Sequence, residues 1–205
     1  MHEIAALRET AAVAATAFAL ALTHPRRTVA WIAEDLSLAE NGVPYGPGLD
    51  EAGIAPERLI RVTASRTRDC LWAMEEALRC PAIDVVIGEL RAHSIDQVAT
   101  RRLSLAADTG NTLGLLLRSI ADDAPSAAAT RWIIAPSARR SFPPGNERWR
   151  IGPPRLAVRL VRNRRGHLGA WILEWNSVEQ RFELATNSEP VARPAFDRPH
   201  RAAVA

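Results

Sequence analysis

The run Ala82-Ile-Asp-Val-Val-Ile-Gly-Glu-Leu90 constrains this chain more than any other stretch. Its β-branched residues follow one another with little polar alternation, are entered from a helical pattern and are left through Gly88-Glu89. A strand with one wet face alternates; a short continuous apolar run reads as a strand buried on both faces. Such strands belong to parallel sheets covered by helices on both sides. The run therefore predicts a layered α/β fold with this strand near its centre.

The flanking chain repeats the pattern. His2–Ala6 reads as a first strand, and Arg8 to about Thr23 as a helix that is apolar on nearly every face and so buried, ended by His24-Pro25. Thr28–Ala33 is a second strand and runs into the acid pair Glu34-Asp35. A loop over Asn41–Gly48 leads to a short helix from Pro47 through Ala52, closed by Gly53. Arg58–Thr63 is a third strand. Ser65 or Thr67 caps a helix to Arg79, whose Leu71, Met74, Ala77 and Leu78 keep helical spacing. After the central strand, Ser94 with Gln97 forms a capping box for a helix to about Thr109, stopped by Gly110-Asn111. Thr112–Leu117 is the fifth strand. Strand and helix alternate to this point, which predicts a doubly wound, mainly parallel sheet.

Beyond residue 120 the alternation stops. Thr130–Ile134, Leu156–Val161 and Ala170–Trp175 read as strands, the last two joined as a hairpin at Asn163-Arg-Arg-Gly166, with Arg181–Leu184 as an edge strand. This is a C-terminal antiparallel extension. From Thr186 onward Pro and Arg dominate, which predicts a disordered tail. Residues 1–185 thus form one domain and residues 186–205 the tail, a division consistent with a chain of 205 residues.

Composition removes several chemistries. The 26 basic residues are all arginine. No lysine is available for nucleotide phosphates, a Schiff base or general-base work. The pI of about 9.6 permits a nucleic-acid partner without requiring one. Cys70 and Cys80 bracket one predicted helix, whose rise of roughly 15 Å over ten residues is too long for a disulfide. Reduced cysteines point to a cytoplasmic setting. The run Ala11–Leu22 is short and mostly alanine, so it reads as a buried helix rather than a leader or a membrane span.

Several segments, in order, resemble the RecA core, and more narrowly the ImuA family, RecA-like accessory proteins of bacterial damage-induced (SOS) mutagenesis cassettes. The broader likeness runs through His2-Glu-Ile4, Thr28–Leu38, Leu49–Leu59, Ala82–Glu89 at the Walker B position, Gly110–Leu117 and Val158-Arg-Leu-Val-Arg-Asn-Arg164. The narrower one rests on Leu71–Leu78, Ala99-Thr-Arg-Arg-Leu103 and Thr130-Arg-Trp132. The resemblance implies a RecA-like domain acting in translesion DNA synthesis through protein contacts. Its implied partners are an ImuB-type Y-family polymerase homologue, an error-prone replicative-type polymerase subunit and RecA. A SulA-type inhibitor that binds the tubulin-like cell-division protein resembles the same core and is the alternative; the long C-terminal β region favours the first.

The departures bear on chemistry. Where a Walker A loop would stand, the chain reads Ala5-Ala-Leu-Arg-Glu-Thr-Ala-Ala-Val-Ala-Ala-Thr16, without the glycines that let backbone wrap phosphates. The expectation is a degenerate P-loop, no cofactor and no enzymatic activity; ATP turnover would reverse it. The chain also starts close to its first strand, as expected of a shortened amino terminus.

Two groups of candidates follow. Glu34, Asp35 and Glu89 should gather at the carboxyl ends of adjacent strands, where α/β sheets hold ligands. They would bind magnesium or activate water, or else be remnants of a lost nucleotide site. Arg139, Arg140, Arg148, Arg150, Arg162, Arg164 and Arg165 crowd the C-terminal region among Trp132, Trp149, Trp171 and Trp175. Arginine with tryptophan suits phosphate contact and base stacking; the alternative is a solvated turn over tryptophans packed in the core. His24, His93 and His167 lack metal spacing.

Overall fold

The computed structural model describes residues 1–23, 27–91, 95–138 and 152–185. In chain order its elements are β1 (His2–Ala6), α1 (Ala12–Ala21), β2 (Val29–Glu34), α2 (Asp35–Asn41), α3 (Gly46–Glu51), β3 (Leu59–Ala64), α4 (Thr67–Arg79), β4 (Val85–Leu90), α5 (Gln97–Gly110) and β5 (Leu113–Arg118). Then follow β6 (Thr130–Pro136), β7 (Arg155–Asn163), β8 (Gly169–Asn176) and β9 (Arg181–Leu184). Short 3₁₀ turns at Glu9–Ala11 and Pro56–Arg58 precede α1 and β3.

All strands join one sheet in the order β3-β2-β4-β5-β1-β6-β7-β8-β9. The first six in that order are mutually parallel, and β7, β8 and β9 add on antiparallel. The mixed α/β sheet with an antiparallel extension is as the sequence predicts. The central run behaves as read: every residue of β4 is buried, between β2 and β5.

Parity divides the core in two. Ile4, Trp31, Ile87, Leu115 and Ile134 point to one face, under Phe18 and Ala19 of α1 and beside Leu49 and Ile54. Ile32, Val86, Leu90 and Leu116 point to the other, under Met74 and Leu78 of α4 and Leu103 and Ala106 of α5. Burial of these side chains is the main stabilising term. Helices α4 and α5 touch where Gly110 meets the carbonyl of Leu78. A Cβ on Gly110 would lie 2.0 Å from that oxygen. The left-handed residue ending α5 is Asn111, at φ 50°.

Local details differ from expectation. Helix α1 buries Ala15, Phe18 and Ala19, while Val13 is 73% exposed, so one side is apolar without being covered. The N-cap position of α4 is Arg66, with no side-chain cap, because the Ser65 hydroxyl bonds Asp35 instead. Helix α5 is capped by Asp96, whose Oδ1 accepts from the Ala99 amide at 2.6 Å. The expected cap, Ser94, lies outside the described residues, as does the 186–205 tail. No described helix is long and apolar enough to cross a membrane.

Candidate functional site

Glu34, Asp35 and Glu89 lie at the carboxyl ends of the adjacent strands β2 and β4, as expected, but Glu34 and Glu89 do not share a face. Ala33 and Glu89 are register partners on β2 and β4, so their side chains share a face. Glu34 is the next residue along β2 and turns to the opposite face. Glu89 therefore lies on the Trp31 side, and Glu34 on the Ile32 side.

Glu89 is buried and well occupied. Its Oε2 accepts from Trp31 Nε1 at 3.1 Å, and its Oε1 accepts from Ser37 Oγ at 2.7 Å and Asn41 Nδ2 at 2.9 Å. Both Ser37 and Asn41 belong to α2, so the carboxylate fastens that helix onto the sheet. The sequence reading missed α2, a seven-residue helix too short to show a periodic pattern.

Glu34 Oε2 accepts the Arg91 amide at 3.3 Å, while its Oε1 is buried and unpaired among the described residues. Burial, with the Glu34 charge second, pushes the Cys70 thiol up to about 11. Asp35 opens α2 and takes the Ser65 hydroxyl at 2.9 Å. Among the described residues no three His, Cys, Asp or Glu side chains are grouped to hold a metal ion.

Between β1 and the first helical turn only Leu7 and Arg8 intervene. The Leu7 amide donates to the Ile134 carbonyl, and Glu9 occupies the turn itself. A carboxylate at that position disfavours a bound phosphate, since both carry negative charge.

An ion pair that sequence reasoning overlooked lies beside β1. Glu3 is wholly buried, takes Arg131 Nε at 2.6 Å and Ser126 Oγ at 2.7 Å. Arg131 also donates to the carbonyls of Asp122 and Ala124. The group fastens the connection between β5 and β6 against the sheet. Its sequence signal is a glutamate and an arginine, each inside an otherwise apolar strand.

Only part of the arginine cluster lies among the described residues. Arg139, Arg140, Arg148 and Arg150, with Trp149, lie outside the described residues. Their segment leaves after Ala138 and returns at Gly152, next to the Ser137–Arg155 hydrogen bond. Arg162, Arg164 and Arg165 lie at the other end of β7, a nine-residue strand that separates the two ends by roughly 26 Å at 3.3 Å per residue. Trp132 lies 5.5 Å from Phe18 and 6.0 Å from Trp171, and Trp175 meets Phe182 edge-on at 5.1 Å. Trp132 packs against the core on the α1 face, so the core alternative holds for it, while Trp175 is half-buried and Trp171 is exposed.

No family model matches the chain. Protein ImuA of Caulobacter vibrioides, in strains NA1000/CB15N and ATCC 19089/CIP 103742/CB 15, is 34% identical over 156 residues. The match covers 71% of this chain and 59% of those relatives' length. A partial superposition on the crystal structure of SulA from Pseudomonas aeruginosa gives a TM-score of 0.39 at 25% identity, over 52% of this chain and 82% of that one. That score is too low to identify a shared fold. Across the part that it shares with its curated relatives, the chain belongs to the ImuA family.

Proposed function

We propose that this chain is a non-catalytic, RecA-like accessory protein of damage-induced mutagenesis, acting in translesion DNA synthesis by docking other proteins. Family membership and the order of its parallel strands support that reading. The observation that carries the non-catalytic part is Glu89. It stands where a nucleotide-hydrolysing sheet would present an acid to magnesium, yet three protein donors already occupy it. Glu34, on the opposite face, cannot join it.

The partners proposed are an ImuB-type Y-family polymerase homologue, an error-prone replicative-type polymerase subunit and RecA. A fold without nucleotide chemistry still offers sheet edges and helix faces for such contacts. The test is a pull-down of the chain against these three proteins and the tubulin-like division protein, with an ATPase assay beside it. Capture of at least one mutagenesis protein without ATP turnover is the expected result. Capture of the division protein alone would replace this reading with a cell-division inhibitor, and turnover would make the chain an enzyme.

A further inference from the structure

Helices α4 and α5 run side by side as the crossovers into β4 and β5, and each buries one stripe against the sheet. The buried stripe of α4 is Cys70, Met74 and Leu78. Its outer side carries Arg68, Trp72 and Glu76, all exposed and each four residues from the next. Residues at that spacing are neighbours on successive turns, so the three form one line: a cation, an indole and a carboxylate. Trp72 is 63% exposed. On α5, Val98 and Leu105 are exposed as well, two turns apart on one side of the helix. Tryptophan is the residue type most enriched where binding energy concentrates, and an open one of this size marks an interaction surface.

Beside Trp72 a groove of about 760 Å³ separates the first turns of the two helices. Leu71, Ala99 and Leu103 give it an apolar lining, with Arg68 and Trp72 on its α4 wall. It is large enough to admit an indole.

We propose that this face docks a second copy of the chain, the two α4 helices packing antiparallel about a twofold axis at Trp72. The order of charges along the line selects that occupant. In a twofold contact the same patch serves both protomers and must complement itself. With the axis at Trp72, Arg68 meets the partner's Glu76, and Glu76 meets the partner's Arg68, each one turn or about 6 Å from the axis. A cation, an indole and a carboxylate in that order are their own complement when reversed. Each indole then lies over the other protomer's groove, against its apolar lining.

Both charged groups are available. Among the described residues no carboxylate bonds Arg68. Glu76 Oε1 takes Arg79 Nη1 at 3.3 Å, a long and exposed pair on the same helix that contributes little, and its Oε2 has no partner among the described residues. The face is modest in size. Helices of 13 and 14 residues side by side span roughly 20 Å each way. That is at the low end of specific interfaces, so the dissociation constant is expected on the order of 10 μM. The inference stands apart from the partner-docking reading, which a monomer could also fulfil.

The experiment is sedimentation equilibrium of the full chain from about 1 to about 200 μM, a range that spans that constant. The wild type should pass from monomer to dimer, and W72A should stay monomeric throughout. R68E and E76R should each weaken the dimer about tenfold, since either one turns two attractive contacts into repulsive ones. An equimolar mixture of R68E and E76R has opposite charges in both contacts again and should dimerise like the wild type, as should the double variant R68E/E76R. All three positions are exposed, so circular dichroism and melting temperature should stay at wild-type values. A wild type that is monomeric at every concentration would leave the face to a different protein and overturn the proposal. A dimer that W72A leaves intact, or a mixture no tighter than the single variants, would overturn it too.

Discussion

The indole Nε1 of Trp31 donates to Glu89 Oε2 across 3.1 Å, tying β2 to β4 beneath α2. With Ser37 and Asn41 on the other oxygen, this carboxylate satisfies two buried donors, Trp31 and Ser37, and one exposed donor, Asn41. Replacing Glu89 with alanine should destabilise the fold by about 2–3 kcal/mol, because the Trp31 and Ser37 donors stay buried without the carboxylate. Glu89→Gln, which keeps one acceptor oxygen, should cost less. Urea denaturation measures both. Unchanged stability in Glu89→Ala would mean that the carboxylate serves something other than α2.

Much of this arrangement is legible in the sequence, and the illegible part has a consistent cause. β4 is readable because an unbroken β-branched run has few other solutions. The short helix at Pro47 and the stop at Gly110-Asn111 follow from backbone chemistry within a few residues. What fails is non-local. Whether Glu34 and Glu89 share a face depends on the register of two strands 50-odd positions apart, and a one-residue difference reverses the answer. The arginines after residue 138 crowd together in sequence, yet of the seven singled out only Arg162, Arg164 and Arg165 lie among the described residues, at the carboxyl end of β7. Arg131 reads as a surface cation until Glu3, 128 positions away, is set beside it.

Cys70 and Cys80 should differ sharply toward thiol reagents. Cys70 is wholly buried, with its thiol pushed up to about 11 by burial and then by the Glu34 charge, so little thiolate exists near neutrality. Cys80 is partly exposed. A chromogenic disulfide titration of the native chain at pH 8 should register one fast thiol, and the second only in denaturant. Two fast thiols would show that the α4 packing opens readily.

Gly110 should not tolerate a side chain. Its neighbour is the Leu78 carbonyl, a backbone atom that cannot rotate away. Gly110→Ala should cost about 1–3 kcal/mol as α5 is forced off α4. Gly88→Ala is the informative contrast, since the nearest atom is Met74 Sδ, on a flexible side chain that can move aside. The Gly88 substitution should therefore lower the urea midpoint less than the Gly110 substitution.

Glu75 should give the fold a sensitivity to acid. Burial alone would raise its carboxyl, but hydrogen bonds from Arg79 on its own helix and Arg102 on α5 outweigh it and hold the group below the usual glutamate range. A depressed carboxyl stabilises the fold above the ordinary glutamate titration range, and that stabilisation is lost as pH falls through the folded value. The melting-temperature gap between wild type and Glu75→Gln should be full at neutral pH and close below about pH 4. Because Arg102 is 60% exposed, Arg102→Ala should remove only about 1 kcal/mol. A gap that persists into acid would assign the loss in Glu75→Gln to packing rather than charge.

Glu3 and Arg131 form the pair whose separation should be most damaging. Both are buried, and Arg131 also holds the 119–129 connection through the Asp122 and Ala124 carbonyls. Arg131→Met leaves Glu3 as an uncompensated buried charge, for an expected loss of about 3–5 kcal/mol. Glu3→Leu in the same chain removes that charge, so the double variant should recover part of the loss although it lacks both ionic partners. A double-mutant cycle in urea isolates the coupling. Recovery in the double variant would show that the cost of the single change lies in the stranded carboxylate. A double variant as unstable as the sum of the singles would instead place it in the carbonyl bonds that Arg131 makes to the connection, and the ion pair itself would then contribute little to the fold.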